Sequence, residues 1–276
     1  MNIFQVLLIQ PLTNGLILFY NLLGGNLGLA IIGFSLVLRF ILNPLTKPYM
    51  ESMKKMKELQ PQLSKLQKKY SNDKQALVKA QADFYKEKGV NPGSGCLPYL
   101  LQIAILIALF NVFTKVLAGD MNVLNGLLYP ALKFQENVAL NTVFLGWNLS
   151  VPDTITIPGI PFKLPGIIII LAAVVQLFSS KMMSPLNKID QKVAQKTKSQ
   201  ADDIQASMQS SMTYMFPIMT LIFGLSFPAG LALYWLLFSI FQIFQQYQSG
   251  GWGGLTPWLS KIGLIKSESE NGKRSK

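Results

Sequence analysis

The chain of 276 residues has no histidine and a single cysteine, Cys96. Lack of imidazole removes the commonest general base and metal ligand, so a Ser–His pair or a His–metal centre is excluded. One thiol excludes an intramolecular disulfide framework. Charge is scarce too, at 14% of residues. Residues 1–38 hold no Lys or Arg, so the apolar start lacks the basic n-region of a secretory signal peptide. The long apolar runs contain no Asp or Glu, which leaves no intramembrane carboxylate pair for catalysis and no acidic group for ion coupling. No Walker-type glycine loop is present, and no inverted repeat is visible. An enzyme with a cofactor is therefore not expected, and neither is a bound metal.

What the chain has in abundance is apolar surface. Half of its residues are hydrophobic and the mean hydropathy is +0.33, values that point to a polytopic membrane protein. The net charge of +12 lies between the apolar runs. The segment 47–94 holds 11 basic residues, 184–211 holds 4 and 248–276 holds 5, against 2 in 119–165. Positive residues collect on the cytoplasmic side of membrane proteins. Five spans, at 27–46, 95–118, 166–183, 212–226 and 229–247, then put the N-terminus outside and the C-terminus in the cytoplasm.

Taken in order, residues 1–26 are read as an exported-side segment. Pro11 divides the apolar run 3–23, so 12–23 is expected to lie as an interfacial helix capped by Thr13 or Asn14; a further span is the alternative. In 47–94, Met53, Met56, Leu59, Leu63, Leu66 and Tyr70 form the seam of a paired helix. After a break at 71–73, Leu77, Ala80 and Phe84 resume a shorter seam. The expectation is a cytoplasmic antiparallel helical hairpin, kinked at Pro61, with two solvated amphipathic helices as the plainer alternative. Residues 119–165 form an exported-side loop, 184–211 a cytoplasmic loop, and 248–276 a basic cytoplasmic tail, disordered at its end.

The polar residues inside the spans form a pattern. Ser35, Arg39 and Asn43 share one face of the first span, and a full charge there costs about 2.5–3.5 kcal/mol on insertion scales. At 1.5 Å per residue, Arg39 lies about 10 Å from the cytoplasmic end, Gln102 about 9 Å and Gln176 about 10 Å. Ser179 and Ser180 extend the face of Gln176. Trp235, Ser239, Gln242 and Gln246 share a face of the fifth span, and Thr220 sits at similar depth in the fourth. Polar atoms in hydrocarbon need partners or water. The set suggests a wet, positive groove open to the cytoplasm and closed on the exported side. The plainer alternative is interhelical hydrogen bonding, with Arg39 reaching the headgroups. A second stripe, Met208, Met212, Met215 and Met219, suits either core packing or a surface that accepts varied partners.

Several segments together resemble the YidC/Oxa family of membrane protein insertases: LRFILNPLTKP at 38–48, MKKMKELQPQLSKLQKKY at 53–70, NPGSGCLPYLLQIAILIALF at 91–110, FLGWNLSVPD at 144–153, SPLNKID at 184–190, and FPIMTLIFGLSFPAGLALYW at 216–235 with the following FSIFQIFQQY. They occur in the family's order across roughly residues 10–248. The resemblance implies an all-α, five-helix insertase core in the bacterial cell membrane. It implies a groove that receives nascent membrane proteins, with Arg39 as the groove arginine that attracts acidic substrate tails, and Gln176 and Trp235 as groove-lining positions. The Sec translocon, the signal recognition pathway and the translating ribosome, through rRNA contact with the basic loops and tail, enter as partners on the same ground. The large periplasmic domain and the lipoprotein cysteine of other members have no counterpart in these segments. The competing expectation is a small transporter or anion channel built on Arg39.

Overall fold

Pro11 does not break the apolar start of the chain. In the computed structural model, which describes residues 3–70, 73–90, 97–117, 120–135, 138–183 and 213–265, Gln5–Ile9 form a π-helical turn that runs straight into α1 (Gln10–Leu22). The Gln10 N–H donates to the Gln5 carbonyl. The wider turn accommodates the pyrrolidine ring and its missing donor. Thr13 and Asn14 therefore lie inside the helix instead of capping it, and the residue at the cap position is Ile9. The Thr13 hydroxyl donates to the Ile9 carbonyl at 2.7 Å.

The chain continues as α2 (Leu27–Lys69), α3 (Lys74–Glu87), α4 (Leu97–Leu117), the short α5 (Met121–Asn125), α6 (Ile167–Met183), α7 (Thr213–Gly224), α8 (Ala229–Gly250) and the short α9 (Thr256–Lys261). Two stretches, Leu27–Pro44 and Ala229–Gln248, are long and apolar enough to cross a membrane, and Ile103–Leu117, Ile167–Met183 and Thr213–Gly224 are shorter apolar helices. The fold is mostly helical, but an all-α description misses two antiparallel strand pairs in the loop before α6. These are β1 (Val143–Phe144) with β2 (Trp147–Asn148), and β3 (Thr154–Ile155) with β4 (Leu164–Pro165).

Two compact units divide the chain. One comprises Met1–Thr46, Cys96–Val175 and Pro217–Ile240, the other Lys47–Gly95, Gln176–Phe216 and Phe241–Lys276.

In the first unit, α1 and α2 meet through reciprocal small-residue contacts. Phe34 packs over Gly15 at 2.7 Å from where a Cβ would stand, and Phe19 over Gly33 at 2.8 Å. Such close approach is how helices gain van der Waals contact when lipid supplies no hydrophobic drive. Leu16, Ile17, Leu27 and Ile31 are fully enclosed there, with Leu109, Val112, Ile169 and Leu231. The outward faces are apolar as well. Ile167, Ile170, Leu171 and Val174 on α6, and Ile218 and Ile222 on α7, are exposed at helical spacing. Water-soluble surfaces do not carry apolar stripes on this scale, whereas lipid covers them without cost.

The loop between α5 and α6 supplies partners for the N-terminal amides of three helices. The Leu27 N–H donates to the Asn141 carbonyl at 3.2 Å, Ala229 to Val151 at 2.8 Å, and Gly230 to Leu149 at 3.0 Å. On α6, the Ile168 N–H donates to Asp153 Oδ2 at 2.7 Å. Asn14 joins the neighbouring segment: its Nδ2 donates to the Gln10 and Leu127 carbonyls at 2.7 and 2.9 Å, and its Oδ1 accepts from the Tyr129 N–H at 2.7 Å.

In the second unit, Asp73 caps α3 by accepting from the Ala76 N–H at 3.0 Å. Leu63, Leu77 and Val90 are buried there, while Lys55, Lys65, Lys79 and Lys86 are exposed. Helical structure is continuous through Lys47 and Pro61, so no helix end separates the apolar stretch from the lysine-rich one. The expectation of a disordered end to the chain falls on residues 266–276, and the tail before them is folded. A 3-10 turn at Gly253–Leu255 and α9 follow α8, with Leu255 buried; residues 266–276 lie outside the described residues, as do the loop 184–211 and Met208 and Met212 of the methionine stripe. Met215 and Met219 of that stripe are exposed, not core.

Two substitutions test this packing. Asn14→Ala leaves Leu127 and Tyr129 without their buried partner and is expected to cost roughly 2–4 kcal/mol, read as a lower melting temperature in detergent. Gly28→Ala drives a Cβ into the Phe144 ring and is expected to destabilise by about 1–3 kcal/mol, with partial recovery in the double variant Gly28→Ala/Phe144→Ala.

Candidate functional site

Arg39 is the one charged residue within the apolar stretch Leu27–Pro44. It sits four residues beyond buried Ser35 and is itself half-buried. Its guanidinium lies over the Phe238 ring, 5.0 Å from the centroid, and buried Tyr234 is within electrostatic reach. A planar, weakly hydrated cation on an aromatic face retains part of its electrostatic stabilisation where water is thin. The same turns of α8 carry Trp235 and Ser239, so α8 brings two predicted residues to Arg39's unit on one helix.

The remaining polar positions differ in character. The Ser35 hydroxyl donates to the Ile31 carbonyl of its own helix, which satisfies the group without adding a polar surface. Asn43 is exposed, whereas Thr220 is buried and Ser239 is only 2% exposed. Trp235 stands edge-on to Phe227 with centroids 6.1 Å apart, and Phe227 also packs on Phe110 and Phe223 at 5.0 and 5.8 Å. That aromatic cluster was not legible from spacing, because its members come from α4, α7, α8 and the α7–α8 turn. Gln102 lies on helical backbone in α4.

In the other unit, Ser180 donates to the Gln176 carbonyl at 2.8 Å. Ser179, fully buried, donates to Gln242 Oε1 at 2.9 Å, and Gln242 Nε2 faces Met183 Sδ at 3.4 Å. For Ser179 and Gln242 the interhelical hydrogen bond is thus the observed use of the side chains. Lys181, in the last turn of α6, lies 3.5 Å from the centroid of the Trp258 ring and 5.8 Å from that of Tyr214. This contact was not foreseen from spacing. The predicted set is thereby shared out. Ser35, Arg39, Asn43, Gln102, Thr220, Trp235 and Ser239 belong to one unit, and Gln176, Ser180 and Gln242 to the other.

Chemically, Arg39 offers a fixed positive charge with an aromatic wall. That is a binding feature for an acidic group. Comparison with known proteins narrows its meaning. The description "60Kd inner membrane protein" matches residues 18–250. The membrane protein insertase YidC of Fusobacterium nucleatum subsp. nucleatum is 34% identical over 223 residues, covering 81% of this chain and 85% of its own length. Proteins of the same name from Chloroherpeton thalassium and Geobacter sulfurreducens are each 32% identical, over 252 and 243 residues, or 88% and 87% of this chain. The chain spans only 36% of the length of each of these two. With matches over this much of its length, the chain belongs to the 60Kd inner membrane protein family, the YidC/Oxa family of insertases.

Proposed function

We propose that this protein is a bacterial cell-membrane insertase that receives nascent membrane proteins through a polar face built around Arg39. The observation that carries the reading is Arg39 itself. In a member of this family, the one charge in the apolar stretch Leu27–Pro44 is held half-buried against Phe238. An acidic segment of a substrate entering from the cytoplasm is attracted to the guanidinium. Its polar part then rests on protein groups instead of hydrocarbon, and its hydrophobic helix moves into lipid along the exposed apolar faces. Transfer of apolar surface supplies the drive, so no nucleotide or metal is required. The names of the relatives do not favour a transporter or an anion channel.

The same proposal includes five spans with the N-terminus outside. Two observations support it: the lysine distribution, and one loop bonded to the N-terminal ends of α2, α6 and α8, as expected of three helices that start on the same side. It also includes a lysine-covered hairpin at 47–94 that guides substrate, and contacts of Gln176, Trp235 and Gln242 with it. The Sec translocon, the signal recognition pathway and the ribosome are proposed partners.

Arg39→Ala is expected to reduce insertion of single-span substrates with acidic N-terminal tails by roughly tenfold, equal to about 1.4 kcal/mol, while Arg39→Lys retains a substantial part. Insertion measured in depleted cells complemented with each variant checks this, and normal insertion by both removes the electrostatic role. Topology is read separately. In a Cys96→Ser background, Ile157→Cys is expected to react with an impermeant thiol reagent from outside, and Lys79→Cys only after the membrane is opened.

A further inference from the structure

The tip of the first hairpin carries a side chain that its backbone disfavours. Val143 pairs with Asn148 and Phe144 with Trp147, leaving Leu145 and Gly146 as a two-residue turn with φ of 50° and 88°. Positive φ at both central positions is the geometry that Asn-Gly or Gly-Gly fills, because a short polar side chain or none tolerates it. Leu145 is the only non-glycine residue with positive φ among the described residues. A bulky residue held there is strained, and such strain persists where something outside the backbone compensates it.

Within the protein, little does. Leu145 is 76% exposed. Its position nonetheless supplies a partner. Phe144 sits on Gly28, Asn26 Nδ2 donates to the Val143 carbonyl at 3.3 Å, and the Leu27 N–H is bonded one turn away to Asn141. The hairpin is thereby fastened to the first turn of the apolar stretch Leu27–Pro44. In a spanning helix that level is the boundary between headgroups and hydrocarbon. The second strand pair ends at α6, and between β3 and β4 it exposes Phe162 to 62%. From Val138 to Pro165 the only charged residues are Asp153 and Lys163, and Asp153 is committed to the Ile168 N–H. This rim, in which Lys163 is the one charge not so committed, adjoins exposed Leu29 on α2 and Ile167 on α6, both on faces suited to lipid.

We propose that Leu145 and Phe162 insert into the interfacial layer of the exported leaflet, so that the loop before α6 is anchored to lipid through the strained tip of its hairpin. The apolar side chain gains from entering the acyl boundary, and this offsets its unfavourable φ. The inference rests on the five-span reading above, and its test is separable from that reading.

The full chain with Cys96→Ser and Leu145→Cys, labelled with an environment-sensitive nitrobenzoxadiazole dye, is reconstituted in phosphatidylcholine–phosphatidylglycerol vesicles. Phe162→Cys provides a second, independent position, and Lys79→Cys on α3 the water-exposed control. Blue-shifted emission is expected at Leu145 and Phe162, with at least twofold stronger quenching by lipids spin-labelled near the headgroup than at the control, and at least twofold weaker quenching by iodide. Iodide quenching equal to the control at both positions overturns the proposal. So does a label that is shielded from iodide yet not quenched by spin-labelled lipid, which points to a protein covering the tip. If the Ile157→Cys labelling above reports the exported side while Leu145 is wet, only the lipid anchor fails. Labelling of Ile157→Cys from the cytoplasm fails the topology.

Discussion

Amides at a helix N-terminus have no partner within the helix, and hydrocarbon offers none either. Much of the first unit is an answer to that constraint. The segment from Asn141 to Asp153 bonds the leading amides of α2, α6 and α8 through the Asn141, Leu149 and Val151 carbonyls and the Asp153 carboxylate. Because those acceptors lie within one short stretch, the three helix ends are drawn to a common level. The two strand pairs follow from the same need: a loop that presents carbonyls to helix ends must satisfy its own remaining donors and acceptors, and short ladders do so.

Close helix contact is the second element. Gly15, Gly33, Gly224 and Gly230 are places where an added Cβ would press on Phe34, on Phe19, on Ile169, or on Ile31 and Phe113. Without a hydrophobic drive between helices in lipid, packing must come from such approach. The enclosed residues Leu16, Ile17, Ile31 and Leu109 then form a tight interior, and the outward residues remain apolar because lipid is their solvent. Against this background Arg39 stands out chemically. Its guanidinium is stabilised in part by the Phe238 ring.

Much of this architecture was legible from residue order. The apolar run around Arg39, the end of one helix at Lys69 and the start of the next at Lys74, the Phe227-Pro228 junction and the seam positions Leu63 and Leu77 all correspond to observed features. The misreadings have physical causes. Pro11 suggested a break because proline disrupts an α-turn, but a π-turn absorbs it. Thr13 and Asn14 suggested a cap because capping is their commonest role; a helix that starts at Gln10 turns them inward.

The sequence by itself determined which stretches are apolar enough for lipid, where the lysines lie between them, and that a lone arginine sits in the first such stretch. Those properties are local sums of transfer free energy and charge, so neighbouring residues suffice to read them. Only the tertiary structure decided how polar groups are satisfied. Asn14 reaches Tyr129 across 115 positions, Ser179 reaches Gln242 across 63, and Ile168 reaches Asp153 across 15. Arg39 meets its aromatic wall at Phe238 in the same way. Hydrogen bonds and cation–π contacts depend on distances of a few ångströms, and these are set by the packing of distant segments.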